Sequence, residues 1–120
     1  MAGVGRVAVS LTRSTRGGAT RQVYRPEVEL AAFQDRMATL YGERDRARGT
    51  AASVAWLVEE VGELAQAVRK GDREAQVHEL GDVLAWLASL AGQLGLSLDE
   101  AAARYATGCP RCGATPCACP

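Results

Sequence analysis

Apolar residues recur at helical spacing through most of the chain after residue 26, and they predict four helices. The first helix is expected to begin near Pro26, a favourable opening residue, and to end around Tyr41-Gly42. Residues 43–49 (ERDRARG) then form a predicted charged connector, and Thr50 can cap the second helix. The predicted core stripes are Leu30, Phe33, Met37, Leu40 and Tyr41 in the first helix; Val54, Leu57, Val58, Val61, Leu64, Ala65 and Val68 in the second; and Val77, Leu80, Leu84, Leu87, Leu90, Ala91 and Leu94 in the third.

Local sequence signals set the remaining helix ends. Gly71 can adopt the left-handed conformation that stops the second helix, and Asp72 can cap the third, which Gly95 ends. Residues 97–100 (SLDE) form a capping box that opens a short fourth helix, and Gly108 is expected to close it. Helix formers dominate and β-branched runs are scarce, so the sequence predicts an all-α bundle around a central antiparallel hairpin.

The formal net charge of zero hides a strong asymmetry. Residues 1–26 contain five arginines and no acidic residue, whereas the remaining residues have a net charge of −5. An acidic body argues against a nucleic-acid polymer as partner, and no apolar run reaches the roughly 18 residues of a membrane span. The basic leader has the composition of a transit peptide, but a disordered tail or a start codon assigned too far upstream is the preferred interpretation. We therefore expect a cytoplasmic protein.

Acidic side chains on the second and third predicted helices are arranged symmetrically about Gly71. Glu63 and Glu79 lie eight residues on either side of it, and Glu60 and Asp82 lie eleven residues on either side. Because a helix rises about 1.5 Å per residue, an antiparallel hairpin brings each pair to a matching height. Either helix alone would suggest only a solvated surface, but the mirrored spacing predicts four facing carboxylates.

Facing carboxylates repel one another unless a cation lies between them. Two like charges about 4 Å apart repel by about 4 kcal/mol at the effective dielectric of a protein surface. The predicted ligands are all carboxylates, and His78 does not have the Glu-x-x-His spacing of di-iron bundles. Magnesium or manganese therefore fits best. Because bound magnesium usually bridges to substrate phosphates, the pattern predicts a phosphate-bearing ligand.

The mirror extends to two tryptophans and two glycines. Trp56 and Trp86 lie fifteen residues on either side of the turn, each four residues from an acid, so they should meet at one end of the acidic cluster. They could stack on a nucleotide base, or they could pack against the first helix or a partner subunit. Gly62 and Gly81 lie near the level of the acids, which either close backbone approach or ordinary helix packing would explain.

The segments WLVEEVGEL (56–64) and HELGDVL (78–84) resemble the MazG-type all-α nucleoside triphosphate pyrophosphohydrolases. The hallmark of that family is E-E-x-x-E followed, after a spacer, by E-x-x-D. The first motif is matched by Glu59, Glu60 and Glu63, and the second by Glu79 and Asp82. The resemblance runs from about residue 30 to residue 119 and omits the basic leader, which should be dispensable for catalysis.

This resemblance implies magnesium-dependent cleavage of a nucleoside triphosphate to a monophosphate and pyrophosphate. It assigns the metal to Glu60, Glu63, Glu79 and Asp82, while Glu59 would support the site or orient the attacking water. It also implies a bundle that forms a homodimer or a higher homo-oligomer. The predicted substrate-binding residues are Trp56, Trp86, Arg104 and Lys70; Arg44, Arg46 and Arg48 are further candidate phosphate donors, and Arg104 is preferred because related sequences tend to carry a base before this tyrosine.

The four cysteines all lie in the last twelve residues, with the spacing C-x2-C-x4-C-x-C. A C-x2-C pair followed by glycine is a frequent half-site for tetrahedral zinc, so Cys109, Cys112, Cys117 and Cys119 are predicted ligands of a structural Zn²⁺. A reduced flexible tail, a redox pair and ligands shared between subunits remain alternatives. The predicted organisation is a leader (1–25), a MazG-like helical domain (26–108) and a cysteine-rich tail (109–120).

The sequence is also compatible with two other functions. One is a related pyrophosphatase with a narrower substrate, such as a phosphoribosyl nucleotide. The other is a non-catalytic helical module that binds a cation through its acids and recruits a partner through its cysteine tail.

Overall fold

The computed structural model describes residues 27–120, and all regular secondary structure in that part of the chain is helical. The helices are α1 (Leu30–Arg48), α2 (Thr50–Lys70), α3 (Arg73–Gln93) and α4 (Leu98–Ala103). The α2–α3 hairpin has the most extensive contacts, α1 packs mainly on α3, and α4 packs on α1. The prediction of an all-α fold is confirmed. The basic leader and Pro26 lie outside the described residues.

The charged connector predicted between the first two helices is wrong, because residues 43–48 belong to α1. Except for Asp45, these residues are good helix formers, and Arg46 and Arg48 lie in the last turn, where they complement the helix dipole. Asp45 and Arg48 are also paired across one turn. The helix ends only at Gly49, whose φ of 85° is in the region that glycine tolerates.

The hairpin turn follows the sequence prediction. Gly71 has a φ of 71° and ends α2, with Arg69 and Lys70 in the preceding turn. The Asp72 side chain accepts hydrogen bonds from the backbone N–H groups of Glu74 and Ala75, so it caps α3 as predicted. The predicted Thr50 cap of α2 is wrong: Gly49 occupies the cap position, and it has no side chain to accept from the first backbone N–H groups of the helix.

The later helix ends are also partly as predicted. Gly95 has a φ of 67° directly after the last residues of α3, and the Ser97 hydroxyl accepts a hydrogen bond from the Glu100 N–H at the start of α4. However, α4 ends at Ala103, well before Gly108. The Gln34 side chain on α1 joins the two regions by donating to the Leu96 carbonyl and accepting from the Leu98 N–H, both at 2.8 Å.

The buried apolar core is small and lies where α1, α3 and α4 meet. It consists of Met37, Ala88, Ala91 and Leu98, with Leu30, Phe33 and Ala85 packed against it. Most of the bulky residues in the predicted stripes of α2 and α3 are instead exposed in the single chain. Examples are Val58, which is 64% exposed, and Val77, which is 60% exposed. The prediction that these stripes face the core of this chain is therefore wrong for most of their bulky members and correct for Ala91. Small residues occupy the buried sides of the two helices: Ser53, Ala67, Ala88, Ser89 and Ala91.

The buried Ser53 on α2 is hydrogen-bonded to both ends of the hairpin's open side. Ser53 is completely buried; its hydroxyl donates to the Gly49 carbonyl and accepts from the Gln93 side chain. This contact ties the start of α2 to the end of α3 at the end of the hairpin opposite Gly71. None of the described helices has the length and apolar character needed to cross a membrane.

Candidate metal centre

The hairpin brings acids from both helices together. Oxygen atoms of Glu60 and Glu63 on α2 and of Glu79 on α3 all lie within 4.8 Å of one another. The three acids meet because the two-residue turn at Gly71 and Asp72 sets the register of the antiparallel helices. Such a triangle of carboxylate oxygens suits a hard divalent cation.

Asp82, the fourth predicted ligand, lies beside this triangle. It shares a second group with Glu79 and His78, again with ligand atoms within 4.8 Å of one another. His78 Nε2 is 3.4 Å from Asp82 Oδ2, so the i, i+4 pair forms even though the His78 side chain is 71% exposed. The His78 side chain is therefore both largely solvated and paired with Asp82. Because Glu79 belongs to both groups, it lies at the centre of the acidic cluster.

The electrostatics of this cluster favour a cation. Glu79 Oε2 is buried and has no hydrogen-bond partner among residues 27–120, an unfavourable state for a carboxylate oxygen. Burial raises the pKa of Glu60, the hydrogen bond from Trp86 lowers it, and the nearby charges of Asp82, Glu63 and Glu79 raise it further. A divalent cation would give the buried oxygen a partner and offset the repulsion.

The two tryptophans meet beside the acids. The Trp56 and Trp86 rings are stacked, with centroids 5.8 Å apart and planes 10° from parallel. Trp86 Nε1 donates a hydrogen bond to Glu60 Oε1 over 3.0 Å. Trp56 remains 45% exposed, so part of its surface is free to contact a ligand. The aromatic pair is thus continuous with the acidic cluster.

Asp45 and Arg48 form a support for Trp86 that the sequence analysis missed. The Arg48 guanidinium lies 4.7 Å from the centroid of the Trp86 ring and bonds to Asp45 at 2.7 Å. Asp45 is only 4% exposed. The i, i+3 spacing of Asp45 and Arg48 indicates a pair only if both residues are helical, and the sequence predicts a connector there. Arg48, a candidate phosphate donor on the sequence, is therefore engaged with Asp45 and Trp86.

The remaining predicted site residues lie outside these contacts. Glu59 is exposed on α2 and belongs to neither carboxylate group. Lys70 is exposed at the end of α2, about 10 Å along the helix from Glu63. Arg104 follows α4, and its guanidinium lies 5.3 Å from the centroid of the Tyr105 ring. A shallow groove next to the cluster is lined by Asp72, Glu74, Ala75, His78 and Glu79.

The glycines near the acids have open space around them. A Cβ atom built on Gly62 or Gly81 meets nothing within 4 Å among the described residues. Neither close backbone approach nor helix packing within residues 27–120 therefore explains why glycine occupies these positions.

The four cysteines form a separate cluster after α4. Their sulfur atoms all lie within 4.8 Å of one another, and none is in a disulfide. Backbone hydrogen bonds from Ala114 and Ala118 lower the pKa of Cys112 to about 6, whereas the neighbouring thiols of Cys117 and Cys112 raise the pKa of Cys119 to about 11. The cluster thus combines a readily ionised thiol with one that resists ionisation.

An all-α hairpin with facing carboxylates defines a helical protein with a candidate divalent-cation site. A family model described as the MazG nucleotide pyrophosphohydrolase domain matches residues 48–108, just over half of the chain. The chain belongs to this family, and the predicted resemblance is confirmed. The match contains both carboxylate-bearing helices and both tryptophans. No curated protein matches the chain.

Proposed function

We propose that this protein is a magnesium-dependent nucleotide pyrophosphohydrolase that cleaves a nucleoside triphosphate to the monophosphate and pyrophosphate. The observation that carries this proposal is the buried, unpartnered oxygen of Glu79 among facing carboxylates. Family membership gives this cation site its chemistry, since MazG domains are described as nucleotide pyrophosphohydrolases. Manganese has the same preference for oxygen ligands and is the expected substitute.

The proposed metal ligands are Glu60, Glu63, Glu79 and Asp82, whose donor atoms fit a hard cation. Bound magnesium would supply positive charge against the triphosphate oxygens. Glu59 is exposed next to the cluster, where it could orient the attacking water. Lys70 and Arg104 are the proposed phosphate donors. Lys70 lies at the end of α2 and Arg104 follows α4, so neither is next to the carboxylates. Either an extended triphosphate or a second subunit is needed to bring these bases into contact with the phosphates.

The nucleotide base is proposed to stack at the tryptophan pair. Trp56 has the more exposed ring, while Trp86 contacts Trp56, Arg48 and Glu60. Stacking on an aromatic side chain is worth about 1–3 kcal/mol per base and tolerates any base. In this arrangement Trp56 would contact the base directly, and Trp86 would hold both Trp56 and the metal ligand Glu60 in position.

We further propose that the working form is a homodimer or a higher homo-oligomer. Val54, Val61 and Val68 on α2 repeat every seven residues and are 44–60% exposed. Leu80, Leu87 and Leu94 on α3 show the same spacing and are 40–53% exposed. Regular apolar stripes of this kind normally lie in helix–helix interfaces. A second copy is the occupant we propose for them.

A panel of ribo- and deoxyribonucleoside triphosphates tests the activity, with magnesium present and pyrophosphate as the measured product. Wild-type protein should release pyrophosphate from at least one of them, and Glu60→Gln and Asp82→Asn should abolish the release. Glu43→Gln is the matched control, because it removes an exposed acid of α1 outside both carboxylate groups. Failure of metal-loaded, folded protein on the whole panel would contradict the assignment; turnover of phosphoribosyl nucleotides alone would identify the narrower pyrophosphatase.

A further inference from the structure

The cysteine cluster has the dimensions of a tetrahedral metal site. The sulfur–sulfur distances are 3.8 Å for Cys109–Cys119, 3.9 Å for Cys112–Cys117 and 3.4 Å for Cys109–Cys117. Four thiolates at the zinc–sulfur bond length of about 2.3 Å stand about 3.8 Å apart at the corners of a tetrahedron. The sulfurs are therefore already spaced as ligands, and they are too far apart for disulfides.

Two glycines shape the backbone that presents these sulfurs. Gly113, directly after Cys112, has a φ of 73°. Gly108, directly before Cys109, has a φ of 134°, and a Cβ there would stand 2.6 Å from the Gly113 carbonyl oxygen. The turn is closed by hydrogen bonds from the Gly113 N–H to the Cys109 carbonyl and from the Cys109 N–H to the Ala114 carbonyl. Replacing Gly108 would disturb this turn without removing a sulfur.

The segment that contains the cluster has little else to order it. Residues 109–120 contain no helix or strand, and most of them are exposed. A short segment with so little buried surface normally requires a metal or a disulfide to hold one conformation. The sulfurs converge nevertheless, which points to a ligand common to all four.

We infer that Cys109, Cys112, Cys117 and Cys119 bind one Zn²⁺ ion that folds the C-terminal segment into a closed knuckle. Four thiolates complete the tetrahedral coordination, so no position is open for water or substrate and the site is structural. Binding releases the protons that the thiols still hold. The site uses none of the acids of the proposed magnesium centre, so it is independent of the proposed function.

Metal analysis of the full chain tests this inference, because all four cysteines of the sequence are in the cluster. Protein prepared with zinc and dialysed against magnesium should retain about one zinc per chain. Replacement by cobalt should give thiolate charge-transfer bands and the visible bands of tetrahedral coordination. Cys112→Ser and Cys117→Ser should reduce zinc retention and alter these bands, and Gly108→Ala should weaken zinc binding with all sulfurs present.

The matched control separates this site from the acidic one. Glu60→Gln should keep the zinc while it loses pyrophosphate release, whereas Cys112→Ser should keep the magnesium-dependent activity. Hydrogen exchange gives a further readout: removing zinc with a chelator while magnesium is kept in excess should make amides of residues 109–119 exchange at least about tenfold faster and leave those of α2 and α3 unchanged. Three results would overturn the inference. They are unchanged amide exchange in protein freed of zinc, a disulfide between cysteines of the C-terminal segment, and bound iron in place of zinc.

Discussion

Trp86 on α3 donates a hydrogen bond from Nε1 to Glu60 Oε1 on α2, over 3.0 Å. This bond joins the aromatic pair to the carboxylate cluster, and it lowers the pKa of Glu60 against the opposing effects of burial and the neighbouring acids. The indole therefore stabilises the ionised form of Glu60, the form that binds a metal.

Replacing Trp86 by phenylalanine is expected to weaken magnesium binding most strongly at low pH. The substitution keeps an aromatic ring but removes the N–H donor, so the pKa of Glu60 rises and protons compete better with the metal. We expect a loss of about tenfold in affinity near the carboxyl titration range, at the lower end of the roughly 10–100-fold effects of lost outer-shell partners at metal sites. Titration with manganese, followed by electron paramagnetic resonance at several pH values, measures this shift.

Trp56→Phe is the control for this experiment, because the Trp56 indole has no such bond to Glu60. Its manganese affinity should follow that of the wild type at every pH, while its nucleotide affinity should fall. Equal metal affinities for Trp86→Phe and wild-type protein would show that the hydrogen bond does not tune the site.

Metal-free protein is expected to become less stable as pH rises through the range just above 4.5, the ordinary pKa of a glutamate. The folded-state pKa of Glu60 is raised, so the folded chain keeps a proton that the unfolded chain has already released. Stability therefore falls with rising pH across that window, and Glu60→Gln should flatten this dependence. Urea unfolding at a series of pH values, with a chelator present, measures it. Glu43→Gln should retain the wild-type slope.

Glu79→Gln should separate stability from metal binding. The Glu79 Oε2 atom is buried without a partner in the described part of the chain, and leaving such an atom unpaired costs about 1–3 kcal/mol. An amide at this position carries no charge, so it removes the repulsion between Glu79 and the acids around Glu60 and should raise the melting temperature of metal-free protein. It should also remove most of the stabilisation that added magnesium gives the wild type. Thermal unfolding with and without magnesium tests both effects; a variant that magnesium still stabilised fully would exclude Glu79 as a ligand.

Gly62→Ala and Gly81→Ala are expected to stabilise the chain by about 1 kcal/mol each, because alanine is the better helix former. An added Cβ meets nothing within 4 Å in the described residues, so no steric cost opposes this gain. Chemical denaturation of dilute protein provides the measurement. If either variant is destabilised only at high protein concentration, a second subunit occupies the space beside that glycine.

The hairpin could be predicted from the sequence because its signals are local. Gly71 and Asp72 act through their own backbone conformation and hydrogen bonds, so they fix the turn whatever packs nearby. The meeting of Glu63 with Glu79, and of the two tryptophans, then follows from the rise of the helix. The sequence therefore predicts the carboxylate cluster.

The burial pattern could not be predicted in the same way. Helical periodicity shows that Val61 and Leu87 lie on apolar stripes, but it does not say whether their own chain or another surface covers those stripes. The support of Trp86 by Arg48 was also missed, since it depends on α1 continuing past Gly42 through a run of charged residues. Such contacts arise from the packing of whole helices rather than from neighbours in sequence.

Because the core is small, the resistance of this protein to unfolding and proteolysis should depend on its concentration. In the part of the chain that the structure describes, the buried apolar set is Met37, Leu98 and three alanines. If the outward-facing valines and leucines are covered by further copies, a separated subunit lacks most of its apolar burial, and dilution alone favours unfolding. Proteases that attack unfolded chains would then remove protomers made in small numbers, so the rate of synthesis would decide whether the assembled protein accumulates at all.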